Sequence, residues 1–523
     1  MTKLRADLLA AMYTVDRLRQ LWGDDADAAL ARGDRVPAVR ALATTPSNLD
    51  GADGTSAAAS SPAATLARLF LLGEPATDAQ LGAALPNVGA AGVRALGLVD
   101  ASGSALLDVR PYSSIDNSGA VDWLIASDLG ELALGTALPA DHVLGVGGAS
   151  LTLAALIPTE PVDSVLDLGT GCGIQSLHAA RHAQRVVATD ISARALDRAR
   201  LTLALNGVSV TDESGRAGTA TVELRQGDLF APVTGERFDR IVSNPPFVIT
   251  PRRDGVPLYE YRDGGRVGDA IVEAVVRGAA DHLTPGGTAH LLGNWEYRDE
   301  LAGDGLARVR RWIDESGLDG WVVERERQSP AEYAATWIRD GGTRVGTPEY
   351  DRLAAEWLDD FAARGVTAIG FGYVLLRRPI DPAAPRLLRT EVLGSPLGTP
   401  VGIGDHVLAC LRAHDVIASL DDEALGALHL QVAPDVTEER HYWPGDENPT
   451  VIRLRQGGGF ARTIDADAAL AGLVGASDGE LTVAEIANAL AHLLEVDEGA
   501  LREQLLPQVR ELVATGLLLV NPD

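Results

Sequence analysis

The chain is predicted to be an α/β protein built on a parallel sheet, and two loops carry that prediction. Val165-Leu166-Asp167-Leu168 runs into Gly169-Thr170-Gly171-Cys172-Gly173, and Ile241-Val242-Ser243 runs into Asn244-Pro245-Pro246-Phe247. Each is a short apolar run that stops at residues suited to a tight turn or a polar contact. Buried parallel strands end this way, and ligands of open α/β sheets bind at those ends. A third observation is the alternation of strand and helix patterns between residues 141 and 380, which a parallel sheet requires.

The elements follow in order. Residues 1–45 read as helical, beginning with an amphipathic Met1–Leu9 rather than a signal peptide, because acids interrupt its apolar stretch. Pro46 to Ala63 is dense in Ser, Ala, Gly and Thr without apolar period, hence a linker. Helices over Thr65–Leu72 and Asp78–Leu85, then Leu96–Asp100 leading into a strand at Ala105–Val109, give a winged-helix-like pattern within residues 1–140. The central unit, 141–380, predicts strands near 164–168, 185–189, 221–226, 239–243 and 287–292. Gly320–Glu326 and Ile369–Arg377 close a seven-stranded sheet as a pair, with helices near 330–340 and 348–364 between them. In the last unit, 381–523, residues 381–465 read as β-rich, with strands at Leu428–Val432 and Thr450–Leu454. A second winged-helix-like pattern ends the chain: helices opening at Leu481 and over Glu498–Thr515, then a strand at Gly516–Val520.

The glycines of the first loop alternate, whereas a dinucleotide fingerprint spaces its last two three apart. The alternating form predicts a tight turn with exposed N–H groups and no pyrophosphate cradle, which suits a nucleoside cofactor lacking pyrophosphate. Asp167, just before the turn, is placed to meet an ammonium group directly or through water. Asp190 ends the second strand, where ribose hydroxyls are held in such folds. Asp228 is set to accept from an adenine amino group, with Leu229 and Phe230 against the ring. In the second loop, the Asn244 oxygen and the Pro245 carbonyl can accept the hydrogens of a planar nitrogen and aim its lone pair. Pro245-Pro246 fixes both φ values, and Phe247 can stack on the acceptor.

With these motifs in hand, residues 141–380 resemble a class I (Rossmann-like) S-adenosylmethionine-dependent methyltransferase bearing the Asn-Pro-Pro-Phe amino-methyltransferase motif. Release-factor glutamine methyltransferases and guanine-N2 ribosomal RNA methyltransferases are the nearest types by motif. The resemblance implies Asn244, Pro245, Pro246 and Phe247 as catalytic. It implies Asp167, Gly169, Thr170, Gly171, Gly173, Asp190, Ile191, Asp228, Leu229 and Asn244 as cofactor-binding, the product being S-adenosylhomocysteine. Gly145–Ser150 would cover the methionine end, and Tyr259, Tyr261 and Trp295 would wall the acceptor pocket. His178 and His182, at i, i+4 spacing without a third ligand, read as a surface helix face rather than a metal site. Asp263-Gly264-Gly265 reads as a turn and helix cap.

Composition bounds the rest. The net charge of −28 and 9 Arg against 23 Asp plus Glu in residues 381–523 count against a nucleic-acid partner without excluding it, while the lone lysine (Lys3) reads as a compositional bias. The Arg252, Arg253, Arg262 and Arg266 cluster is the exception. Two cysteines, Cys172 and Cys410, form neither metal spacing nor disulfide framework, and no apolar run reaches membrane-spanning length, so a reducing cytoplasm is expected. These readings put a protein glutamine or similar amide first and an RNA guanine or adenine amino group second. Small-molecule methylation and a non-catalytic cofactor-binding regulator stay open; DNA and membranes are not expected, and oligomeric state is undetermined.

Overall fold

A computed structural model describes residues 1–44, 61–136, 138–211, 221–299, 306–394 and 402–520. The predicted linker falls almost wholly outside them, except that Ser61 caps the helix Pro62–Phe70, its side chain accepting from Ala64 N.

Strands are numbered in chain order. β1 (Asp108–Asp116) and β2 (Gly119–Ser127) form an antiparallel hairpin. The central sheet comprises β3 (Val162–Leu168), β4 (Ala183–Asp190), β5 (Ser209–Thr211), β6 (Thr221–Gln226), β7 (Phe238–Ser243), β8 (Leu283–Arg298), β9 (Asp319–Gln328), β10 (Val366–Arg377) and β11 (Leu388–Val392). Its order is β11-β9-β10-β8-β7-β3-β4-β6-β5. Only β10 runs against its neighbours, because helices Pro330–Asp340 and Pro348–Ala363 return the chain to insert it between β8 and β9. The seven predicted strands are all present, and the short edge strands β5 and β11 extend the sheet to nine.

The interior strands are mostly apolar because both faces are covered, with Arg240, His290 and Glu324 among their buried polar residues. Val275, Val276 and Trp312 pack on one face, and Leu177, Leu203 and Val407 on the other. Such burial stabilises by about 25 cal/mol per Å² of apolar surface removed from water.

Before the sheet come four helices in residues 1–44 and then Pro62–Phe70, Asp78–Ala84 and Gly89–Ala95, the last unforeseen. The expected strand at Ala105–Val109 is only a single bridge between Val99 and Ala105, and the extended segment begins at Asp108 instead. The hairpin packs on the amino-terminal helices through Val109, Leu124 and Ala126, and it also reaches the central unit. Thr202 and Asn206, on the helix Ala193–Leu205 and its C-cap, hydrogen-bond Ala126 and Leu124 of β2.

The carboxyl-terminal segment holds the two strands expected at Leu428–Val432 and Thr450–Leu454, and between β11 and the first of them it adds an unforeseen helix, Ile403–Ile417, whose Ile403, Val407, Cys410 and Leu411 face the sheet. β12 (His429–Val432), β13 (Val436–His441), β14 (Val451–Gln456), β15 (Thr463–Ala466), β16 (Asp478–Thr482) and β17 (Leu518–Val520) follow. β12 pairs with both β16 and β17, alongside helices Val483–Leu494 and Glu498–Ala514. This segment sits at the amino ends of the parallel strands. Asp405 accepts from Thr159, just ahead of β3, and from Asn117 in the hairpin turn. Arg377, ending β10, pairs with Asp319 and Asp415. Among the described residues no helix is long and apolar enough to cross a membrane, and no cluster of His, Cys, Asp and Glu could hold a metal ion.

Candidate active site

The carboxyl ends of β3, β4, β6 and β7 open into a cavity of about 1010 Å³. Gly169, Gly171 and Gly173 hold φ of 80°, 54° and 85°, a left-handed region that favours glycine. A Cβ on Gly173 would meet the Ala199 Cα at 3.0 Å, so this glycine also seats the loop on the helix Ala193–Leu205. The loop differs from expectation in its donors. Gly169 and Thr170 N–H groups donate to the Thr189 carbonyl, Gly173 to Thr170, and Gly171 to Asp190 Oδ2 at 2.9 Å. The turn is tight because these donors close on the chain itself, and Gly169, Thr170, Gly171 and Cys172 all border the cavity.

Asp190 Oδ1 accepts from Ser192 N at 2.9 Å, and its carboxyl lies on the cavity wall, where burial raises its pKa. Asp167 is a correction. It does not line the cavity but lies beneath the loop, buried, with Oδ2 accepting from the Thr170 and Ser176 hydroxyls at 2.6 Å each. Burial pushes its pKa up to about 6. Its reach to a ligand is through Thr170, which does line the wall.

The second loop is held from both sides. Ser243 Oγ donates to the Leu168 carbonyl at 2.8 Å, joining the ends of β7 and β3. Val248 N donates to Arg262 O, Gly264 N to Pro246 O, and Ile249 N to Tyr333 Oη. Asp263 is the clasp. Its carboxylate accepts from the Thr250 hydroxyl and from Tyr259 N, so it is not a helix cap as its sequence suggested; Asp269 occupies the cap position of the next helix. Asn244, Pro245 and Pro246 all line the cavity, and Asn244 Oδ1 is buried without a hydrogen-bond partner. A pinned loop presenting an open acceptor is prepared for a ligand N–H before one arrives.

Of the other predicted residues, Gly169, Gly171, Ile191, Asp228, Leu229 and Tyr261 line the cavity. Gly173, Phe247, Tyr259 and Trp295 do not. Phe247 packs on Phe371 with ring centroids 5.4 Å apart. Tyr259 lies under the Arg262 guanidinium, 4.3 Å from ring centroid to Cζ. Trp295 is fully buried, its Nε1 donating to Glu324 at 3.0 Å. Phe230 is core, stacked on His282 at 4.5 Å. His178 is no surface residue either: it is buried and hydrogen-bonded to Tyr112 at 2.9 Å, with its pKa lowered to about 4 by burial. In the arginine cluster, Arg262 is buried against Asp340, Arg253 pairs with Glu356 and Arg266 with Asp228, while Arg252 is exposed.

Sequence reasoning missed several wall residues. Gln175 donates through Nε2 to Ser150 O, and its Oε1 is buried without partner. His142 lies against the Tyr261 ring, its Nδ1 without a hydrogen bond and 4.0 Å from Asp128 Oδ2, with its pKa lowered by burial. Asp108 and Arg110 bring β1 into the wall, whereas no described residue beyond Ile271 contributes. The Asp141-His142 pair just before Gly145–Ser150 is a readable signal for His142; nothing local announces the hairpin. Asp190, Asp228, Gln175 Oε1 and Asn244 Oδ1 make the wall rich in acceptors. That fits a ligand carrying an ammonium, ribose hydroxyls and an adenine amino group, as S-adenosylmethionine does.

Residues 145–302 match a family model described as the methyltransferase small domain. Residues 10–111 and 409–520 match two models each described as a domain of unknown function. The ribosomal RNA small subunit methyltransferase C of Escherichia coli is 34% identical over 149 residues, which are 28% of this chain and 35% of that protein. The chain thus spans about a third of the length of the curated relatives it matches. Among solved structures, a Thermus (T. Thermophilus) 16S rRNA N2 methyltransferase in complex with AdoMet and guanosine is 23% identical, covering 42% of this chain and 48% of that one at a TM-score of 0.26. A methyltransferase from Pyrococcus furiosus is 16% identical, covering 47% and 94% at a TM-score of 0.26.

Proposed function

We propose that this chain, whose central domain is a class I S-adenosylmethionine-dependent methyltransferase domain, methylates the exocyclic amino nitrogen of a nucleobase in RNA. The observation that carries the chemistry is the Asn244 side-chain oxygen, buried and unpartnered in a pinned loop on the cavity wall. An exocyclic amino group is a poor nucleophile because its lone pair is spread into the ring. Asn244 Oδ1 accepts one of its hydrogens and the Pro245 carbonyl the other, which draws the nitrogen out of plane and directs the lone pair. The rigid Pro-Pro backbone supplies this orientation with little ordering cost. Asp190 holds ribose hydroxyls and Asp228 with Leu229 borders the adenine. When bound, S-adenosylmethionine supplies a methyl carbon made electrophilic by its sulfonium. No strong base is required, since the proton can leave after the nitrogen has gained charge.

The acceptor class rests on the curated relatives named for ribosomal RNA, and it reverses the order that net charge suggested. The acid-rich segment lies at the amino ends of the strands, while Arg252 and Arg266 lie at the acceptor loop. Net charge is therefore a poor guide to the field at the cavity mouth, because charges beyond a Debye length of about 8 Å are largely screened. The test is transfer of a tritiated methyl group into extracts of cells lacking the gene, with labelled RNA, protein and small molecules separated. Label in RNA that disappears with Asn244→Ala is expected; label in protein alone would return the amide reading to first place.

A further inference from the structure

We infer that Asp108 and Arg110, on β1, hold the amino-acid end of the cofactor, so that the amino-terminal segment completes a site whose remainder lies in the central domain. The inference rests on the cofactor assignment above.

β1 is guided to this position by contacts on its even-numbered residues. The Asp116 carboxylate pairs with Arg181, and Tyr112 Oη with His178, both on or just past the helix that follows the glycine loop. Side chains two apart share a strand face, so Arg110 and Asp108 continue that row toward the glycine loop. Two further contacts place them. Asp108 is opposite Ser127 in the hairpin register, and a Cβ on Gly145 would lie 3.0 Å from Ser127 Oγ. The carbonyl of Ser150, in the first turn of the helix Gly148–Leu156 that follows Gly145, accepts from Gln175. Asp108, Arg110, Ser127, Gly145 and Gln175 all line the one cavity. The Tyr13 hydroxyl donates to the Val109 carbonyl at 3.0 Å and fixes the strand between the two charged residues.

The charge pattern selects the ligand. Asp108 is 5% exposed; its Oδ2 accepts from Arg110 Nη2 at 2.9 Å, while Oδ1 is buried without a partner. An arginine alone on the wall would suit a phosphate or any carboxylate. An adjoining carboxylate with an open oxygen repels a simple anion and calls for a donor beside it. A zwitterionic α-amino acid group answers both, laying its ammonium on Asp108 Oδ1 and its carboxylate on the remaining Arg110 N–H groups. Charge-assisted contacts of this kind are about twice as strong as neutral ones.

The test compares two probes by calorimetry. S-Adenosylhomocysteine carries the amino-acid end, and 5′-methylthioadenosine shares its nucleoside and thioether but lacks that end. Arg110→Ala and Asp108→Asn should each weaken S-adenosylhomocysteine binding by about ten- to a hundredfold, the size of a lost charged hydrogen bond. Binding of 5′-methylthioadenosine should stay within about twofold, which also certifies that the pocket is folded. Unchanged S-adenosylhomocysteine affinity would overturn the inference, including the case in which RNA affinity falls instead. Equal losses for both probes would also overturn it, by assigning the pair to structure. Wild-type protein that binds neither probe would instead overturn the cofactor assignment itself, a result distinct from these.

Discussion

Replacing Asn244 by alanine should lower turnover while leaving the fold as stable as before or slightly more so. Asn244 Oδ1 is a buried acceptor with no hydrogen-bond partner among the described residues. Such a group costs about 1–3 kcal/mol in desolvation, which its removal relieves. The truncated side chain leaves no closed void, because it borders the 1010 Å³ cavity. A gain of about 1 kcal/mol corresponds to a rise of about 1 °C in melting temperature for a chain of 523 residues that unfolds as one unit. In the transition state the same oxygen positions the nitrogen, and loss of one such group typically costs about a hundred- to a thousandfold in kcat. Single-turnover methyl transfer and a thermal melt on the same preparation make the check. Normal turnover would refute the acceptor role. A melting temperature lowered by several degrees would refute the claim that the unpaired oxygen is held ready for a ligand rather than for the fold.

Asp190→Ala should weaken S-adenosylhomocysteine binding by about 1.5–3 kcal/mol for each charged hydrogen bond removed, read by calorimetry; an unchanged constant would remove Asp190 from the ribose site. Trp295→Phe should leave the acceptor KM unaltered but reduce stability by about 1–3 kcal/mol, measured by urea unfolding, because it takes a donor from the buried Glu324. Asp167 has a folded pKa raised to about 6, above the unfolded value of about 3.9. Its associated stability is therefore fully present below that unfolded value and is lost as pH rises through about 6, a change of about 3 kcal/mol. Asp167→Asn should flatten that decline when urea midpoints at pH 4.5 and 8 are compared with wild type, and an unaltered difference between the two would contradict the assignment. Arg252→Ala with Arg266→Ala should reduce the steepness of RNA binding against salt by roughly 0.7 for each phosphate no longer neutralised on single strands; filter binding that keeps its slope would move RNA docking elsewhere.

The strands and both loops were legible because their signals are local: apolar runs of strand length, glycines at turns, and prolines at a strand end. Register and depth were not. Trp295 and Tyr259 stand at plausible positions along the chain, yet strand parity turns Trp295 into the core and the Arg262 guanidinium covers Tyr259. Asp167 and Asp190 look alike as acids ending adjacent strands, and only three-dimensional packing puts one beneath the loop and the other on the wall. The helix Ile403–Ile417 carried a readable period in Ile403, Val407, Cys410 and Leu411 that the surrounding turn residues obscured. The place of β1 in the cavity depends on pairings with residues some 65 positions away, such as Tyr112 with His178, and no local pattern encodes them.

Asp405 joins three parts of the chain at one side chain, taking hydrogen bonds from Asn117 in the hairpin and from Thr159 at the foot of the sheet while it rides on the helix Ile403–Ile417. The buried Arg377, held by Asp319 and Asp415, binds that helix to the sheet a second time. Segments tied in this way cannot melt in turn without exposing charges that their neighbours neutralise. On heating, the protein should absorb its unfolding enthalpy in a single calorimetric peak, and its three sequence segments should behave as one cooperative unit.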